Sequence, residues 1–133
     1  MPPSLDHLGI AVRDLEAACR WYALLGLEAQ GREEVPQERV RVAMLPLASG
    51  RIELLEPTSP DSTMAQFIEK RGEGLHHVAL QVPDLAAAVA RLKAAGARLV
   101  SENVQIGAGG HKYIFVHPAS SGGVLLELIE NHP

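Results

Sequence analysis

Two histidines and two glutamates stand out in this 133-residue chain because they recur in step. His7 opens HLGIAVRDLEAA and His77 opens HVALQVPDLAAA, seventy positions on, while Glu53 of IELLE and Glu127 of LELIE lie seventy-four positions apart. All four fall in strand-like segments, and an ionised carboxylate inside an apolar strand is costly unless it is paired or coordinated. A bound divalent cation meets that cost. Imidazole nitrogens with carboxylate oxygens suit Zn, Mn, Co, Ni or Fe(II), and six-coordinate geometry leaves two adjacent positions for water or a bidentate substrate. Taken singly, a strand His can bond a carbonyl and a strand Glu can face solvent. Their occurrence as symmetric pairs favours the metal.

The repeat that carries these residues also sets the architecture. Its identities are His7/His77, Val12/Val82, Asp14/Asp84, Leu15/Leu85, Ala17/Ala87 and Ala18/Ala88, continued by Gly26/Gly96. Asp14 starts the apolar run Leu15, Ala18, Cys19, Tyr22, Leu25, and Asp84 starts Leu85, Ala88, Val89, Leu92. Both read as helices with an Asp N-cap and a closing glycine. An alternating strand precedes each helix, and three more follow: near 27–35, 40–47 and 51–56 in the first half, near 97–104, 112–116 and 124–129 in the second.

Each module therefore reads βαβββ, over 5–57 and 75–130, joined by a linker helix at about 61–71. The fold class expected is α+β, a single domain of residues 1–133. The second half holds four extra residues, assigned to the stretches Gly107-Ala108-Gly109-Gly110 and Ser120-Ser121-Gly122-Gly123, since loops absorb length cheaply. Strand alternation places His7, Gly9 and Ala11 on one face, and likewise His77, Ala79 and Gln81. That face carries small residues and is expected to be open, with the bulkier face under the helices.

The remaining composition narrows the function. A formal net charge of −4 without a block of like charge argues against nucleic acid or a membrane surface, which leaves a small-molecule partner. No basic leader precedes the first strand and no apolar run approaches about 18 residues, so a cytoplasmic protein is expected. Cys19 stands alone, which excludes an intrachain disulfide, and reads as a small buried hydrophobe. Neither GxGxxG nor GxxxxGK[ST] occurs. Plain roles are expected for His76 on the opposite face from His77, His111 beside the glycine loop, His117 in a turn and His132 in the tail. Glu56 and Glu130, at strand ends, are expected to be exposed.

HLGIAV, HHVALQV and VLLELIE on duplicated βαβββ modules resemble the vicinal oxygen chelate superfamily, in which paired modules form a curved, incomplete β-barrel around a metal with helices outside. IELLEPTSPDS, GEGLHHVAL and HPASSGGVLLEL are, more narrowly, similar to the methylmalonyl-CoA epimerase family. The resemblance spans essentially the whole chain. It implies a divalent metal ion (Co, Mn, Zn or Ni) on His7, Glu53, His77 and Glu127, an acyl-CoA substrate and a homodimer. The implied reaction interconverts (2R)- and (2S)-methylmalonyl-CoA through an enediolate, by removing a proton from one face of a carbon and returning one to the other.

Two bases are then required, and pseudo-twofold symmetry offers Glu53 and Glu127. Some epimerases carry Gln at the position of Glu53 and a proposed catalytic Glu at the position of Val42, so no base can be placed on residue 42 here. Glu38 is a spare candidate. Backbone amides at Ser120, Ser121, Gly122 and Gly123 are expected to receive a carboxylate or carbonyl oxygen of the substrate. Ala119 stands where many members have Lys; Arg39, Arg41, Arg51 and Lys112 are expected as solvated cations rather than phosphate partners. Two alternatives share the fold: a glyoxalase I-type lyase acting on a glutathione hemithioacetal, and a metal-free small-molecule binding protein. A ring-cleaving dioxygenase needs two His and one carboxylate, and Glu53 as a fourth ligand counts against it.

Overall fold

Each half of the repeat folds as a strand, a helix and three further strands in the computed structural model, which describes residues 2–107 and 110–131. The order is β1 (Ser4–Ala11), α1 (Leu15–Ala23), β2 (Arg32–Val35), β3 (Val40–Pro46), β4 (Arg51–Pro57), α2 (Thr63–Arg71), β5 (Gly74–Gln81), α3 (Leu85–Ala94), β6 (Gln105–Ile106), β7 (Lys112–Val116) and β8 (Leu126–Glu130). Two compact units result: His7–His76, and His77 onward together with the first few residues. The helix starts are those the aspartates predict. Asp14 accepts from the Ala17 N–H and Asp84 from the Ala87 N–H, both at 3.0 Å. Ser62 caps α2 in the same way, accepting from the Ala65 N–H at 3.1 Å.

In the first unit the strands run in the order β2-β3-β4-β1. β1 pairs parallel with β4, placing Gly9 opposite Glu53, and β3 pairs antiparallel with β4, placing Met44 opposite Glu53. One sheet face packs Ala43, Leu45 and Leu54 with Leu15 and Cys19 of α1. The other packs Ala11, Val40, Val42 and Leu55 with Met64 and Ile68 of α2. The second unit repeats the order as β5-β8-β7-β6, with Ala79 and Phe115 both opposite Glu127. Ile114, Val116 and Leu128 pack with Leu85, Ala88 and Val89 of α3, while Ala79, Tyr113 and Ile129 form a smaller cluster with Phe115.

Three expectations need correction. The faces carrying His7 and His77 are not open at their small residues, for Ala11 and Ala79 are both 0% exposed. In the first unit α2 lies over Ala11, and in the second Tyr113 and Phe115 fill beside Ala79. The strands expected at 27–35 and 97–104 are shorter or displaced. Gly26 and Gly31 take φ of +83° and +78°, which interrupts an extended run, so β2 begins at Arg32. In the second half Leu99 makes a lone bridge to Val116, and the Ser101 hydroxyl bonds the Asn103 carbonyl, a local bond that competes with strand pairing.

The third correction concerns Glu56 and Glu130, which are partly buried and functional within the fold. The Leu15 N–H donates to Glu56 Oε2 at 2.9 Å and the Leu85 N–H donates to Glu130 Oε1 at 2.8 Å. Each lies three residues beyond a candidate ligand, and an odd step along a strand turns the side chain to the opposite face, where the helix begins. The first helical N–H groups have no partner within the helix, and these carboxylates supply one. Glu130→Ala is expected to lower stability by about 1–2 kcal/mol by stranding the Leu85 N–H. A shift in the urea unfolding midpoint at constant slope would register it.

The pairing also locates the extra residues of the second half. Met44 and Glu53 are nine positions apart, whereas their counterparts Phe115 and Glu127 are twelve apart, so three of the four lie in the β7–β8 connection that holds Ser120–Gly123. The fourth lies between α3 and β7. Of the glycine stretch expected there, Ala108 and Gly109 lie outside the described residues, as does His132.

Candidate functional site

In the first unit His7 and Glu53 are diagonal neighbours on β1 and β4, because His7 faces Arg51 and Gly9 faces Glu53. His7 is 3% exposed, and its Nδ1 lies 3.4 Å from Glu53 Oε2. Arg51, expected as a solvated cation, instead joins the pair. Its Nε and Nη2 lie 2.9 and 2.7 Å from the same Oε2, since residues two apart on a strand share a face. Val42 faces Leu55, one pleat away from the Met44–Glu53 pair and on the same face, and is buried in the apolar cluster under α2. Glu38 is exposed, in a 3-10 turn (Pro36–Glu38) beyond β2.

The second unit presents the matching pair. His77 is buried, and its Nε2 lies 3.1 Å from Glu127 Oε1. The ring of Phe115 meets His77 edge-on at 5.5 Å, Tyr113 meets Phe115 at 6.0 Å, and His111 lies 5.7 Å from Tyr113. This run of rings was not foreseen. Its signal is the alternation His111, Tyr113, Phe115 beside a strand whose register puts Phe115 opposite Glu127. His111 lies over Gly107, where an added Cβ would come within 2.5 Å of the imidazole, so a side chain there would displace the ring.

Within the turn after β7, the N–H groups of Ser120, Ser121 and Gly123 donate to the carbonyls of His117, Pro118 and Pro118. Those three amides hold the turn together, and Gly122 contributes none of these bonds. The Ser120 hydroxyl accepts from the Arg98 N–H, and the Ser121 hydroxyl donates to the Val124 carbonyl. Other histidines take the plain roles: His76 packs edge-on against Phe67, and His117 Nδ1 accepts from the Ala119 N–H. Arg39 pairs with Asp61 and Arg41 with Glu56, while Lys112 is exposed. Burial pushes the Cys19 thiol up, away from nucleophilic use at neutral pH.

Each unit thus offers one imidazole nitrogen and one carboxylate oxygen in a largely buried setting. The separations of 3.4 and 3.1 Å are close to the spacing of two adjacent donors on one ion, about 3.0 Å for bonds of about 2.1 Å at a right angle. Buried His–Glu pairs of this kind satisfy their polar groups by sharing a proton or by taking a cation in its place. The donor types fit a divalent metal. No helix among the described residues is long and apolar enough to cross a membrane.

The chain belongs to the glyoxalase/bleomycin resistance protein/dioxygenase superfamily, whose family model matches residues 6–115. Its relatives narrow the comparison. The ethylmalonyl-CoA/methylmalonyl-CoA epimerase of Cereibacter sphaeroides is 42% identical over 127 residues, covering 93% of this chain and 95% of that protein. The mitochondrial methylmalonyl-CoA epimerase of Homo sapiens is 41% identical over 126 residues, 93% of this chain and 72% of that protein. A solved methylmalonyl-CoA epimerase in complex with methylmalonyl-CoA and NH4+ superimposes with a TM-score of 0.91 at 34% identity, covering 98% of this chain and 96% of that one. The α+β arrangement of duplicated βαβββ modules is the fold of this superfamily.

Proposed function

We propose that this chain is a methylmalonyl-CoA epimerase that interconverts the 2R and 2S thioesters. The observation that carries the reading is identity near 40%, over nearly the whole chain, to enzymes of that name, together with a largely buried His–Glu pair in each unit of the repeat. We further propose that His7, Glu53, His77 and Glu127 hold a divalent cation; the repeat and the in-unit spacing of each pair support this set. Such an ion, when bound, would stabilise negative charge developing on the substrate oxygens as a Lewis acid.

The proton chemistry falls to the chain. The substrate carbon between thioester and carboxylate loses its proton to one carboxylate, leaving a planar enediolate, and receives a proton on the opposite face from the other carboxyl group. Glu53 and Glu127 are proposed for these two roles, because Val42 has no ionisable group and Glu38 is exposed on a hairpin turn. Of Ser120, Ser121 and Gly122, proposed to receive a substrate oxygen, Gly122 is favoured because its amide is outside the bonds that hold the turn. The same reading takes the protein as a cytoplasmic homodimer, with Co, Mn, Zn or Ni as its metal.

Incubation with (2R)- or (2S)-methylmalonyl-CoA in deuterated water, with and without Co(II) or Mn(II), tests the proposal. Metal-dependent exchange at the methyl-bearing carbon with inversion is expected. Absence of exchange under every metal, with turnover of methylglyoxal and glutathione instead, would replace it by the glyoxalase I-type reading. Ethylmalonyl-CoA belongs in the same assay, since one relative is named for both substrates.

A further inference from the structure

One charged neighbour of the Glu53 carboxylate has no counterpart at the matching position of the repeat. Arg51 places both Nε and Nη2 on Oε2 of Glu53, the same oxygen that lies 3.4 Å from His7 Nδ1. The residue two before Glu127 is Leu125, seventy-four positions after Arg51 and so its counterpart in the repeat, and it carries no charge. A planar guanidinium with two donors on one oxygen fixes both the direction and the electron density of that carboxylate. Glu53 is 13% exposed at its side chain, so solvent screens the contact only partly.

We infer that Arg51 is a positioning residue that competes with a divalent cation for Glu53, making the first module the weaker half of the metal site. The inference rests on the proposed metal reading. Two effects act together: Arg51 occupies an oxygen the ion would use, and its positive charge repels a divalent ion drawn to the same carboxylate. The second module, with leucine at the matching position, lacks this particular competitor. Metal affinity is thereby held below what two histidines and two glutamates would otherwise give, and the Glu53 arm has another cation at hand when the metal releases it. Arg51 acts through its contact with Glu53, so its influence on turnover is indirect.

Calorimetric titration of metal-stripped protein with Co(II), alongside the visible Co(II) absorption spectrum, tests this without reference to turnover. Arg51→Leu, which copies the second module, is expected to bind Co(II) about tenfold more tightly than the unaltered chain and to change the Co(II) band intensities. Arg51→Lys, which keeps the charge but loses the two-donor fork, is expected to fall between them. Should the leucine variant fail to fold, Arg51→Gln carries the same expectation of tighter binding. Equal or weaker binding in the neutral variants, with Co(II) bound normally by the unaltered chain, would overturn the inference alone. No Co(II) binding by the unaltered chain would instead remove the metal reading and the inference with it.

Discussion

Glu127→Gln and Glu53→Gln are each expected to slow deuterium exchange at the substrate's methyl-bearing carbon by about a hundredfold or more, the usual scale for losing a positioned acid or base. Glutamine keeps the shape of the side chain and an oxygen donor but cannot take up a proton. If the two carboxylates serve opposite faces of the planar intermediate, each variant should process one epimer with a worse defect than the other. Bound metal, measured by elemental analysis, separates the two roles of these residues. Substantial metal with lost exchange identifies a base, whereas parallel loss of metal and exchange in both variants would reduce them to ligands. Both residues are held beside a histidine in the fold, at 3.4 Å for Glu53 and 3.1 Å for Glu127, so neither substitution requires repacking.

Leu54→Ala is expected to destabilise the protein by about 3 kcal/mol. Leu54 is 0% exposed, and it packs with Leu15, Cys19, Ala43 and Leu45 between β4 and α1. Truncation removes buried methyl groups and leaves a cavity that helix and sheet can only partly close. Its neighbours in sequence point the other way, so Glu53 stays on the opposite face and the chemistry need not change at low temperature. Urea unfolding should show the loss of stability, and activity below the transition should be nearly retained. A change under 1 kcal/mol would mean that α1 can move in to fill the space.

Much of this protein is written in its repeat. Asp14 and Asp84 mark helix starts because a short carboxylate before an apolar-periodic run satisfies an otherwise orphan amide, and that chemistry is local. The glycines at 26 and 96 mark the ends through their positive φ, again a property of one residue. His7, Glu53, His77 and Glu127 could be singled out because duplication repeats unusual residues at unusual places, and the pairing of each His with its Glu follows from the βαβββ order. The relation to Val42 was equally readable as a departure from a family pattern.

Tertiary structure alone decided the partners that depend on strand register. Glu56 and Glu130 look like exposed strand ends in the sequence, yet parallel pairing of β4 with β1, and of β8 with β5, brings each to the first amide of a helix about forty residues away in the chain. Arg51 looks like one more surface cation, although alternation along β4 already puts it on the face of Glu53; pairing of β1 with β4 adds His7 beside the same carboxylate oxygen. Burial over the small residues of the ligand faces likewise depended on what covers them: α2 in one unit, the aromatic side chains of β7 in the other. Local rules name caps, turns and candidate ligands because each follows from one residue's chemistry. Which groups end up within 3 Å of one another depends on register, and register is a property of strands that the sequence keeps far apart.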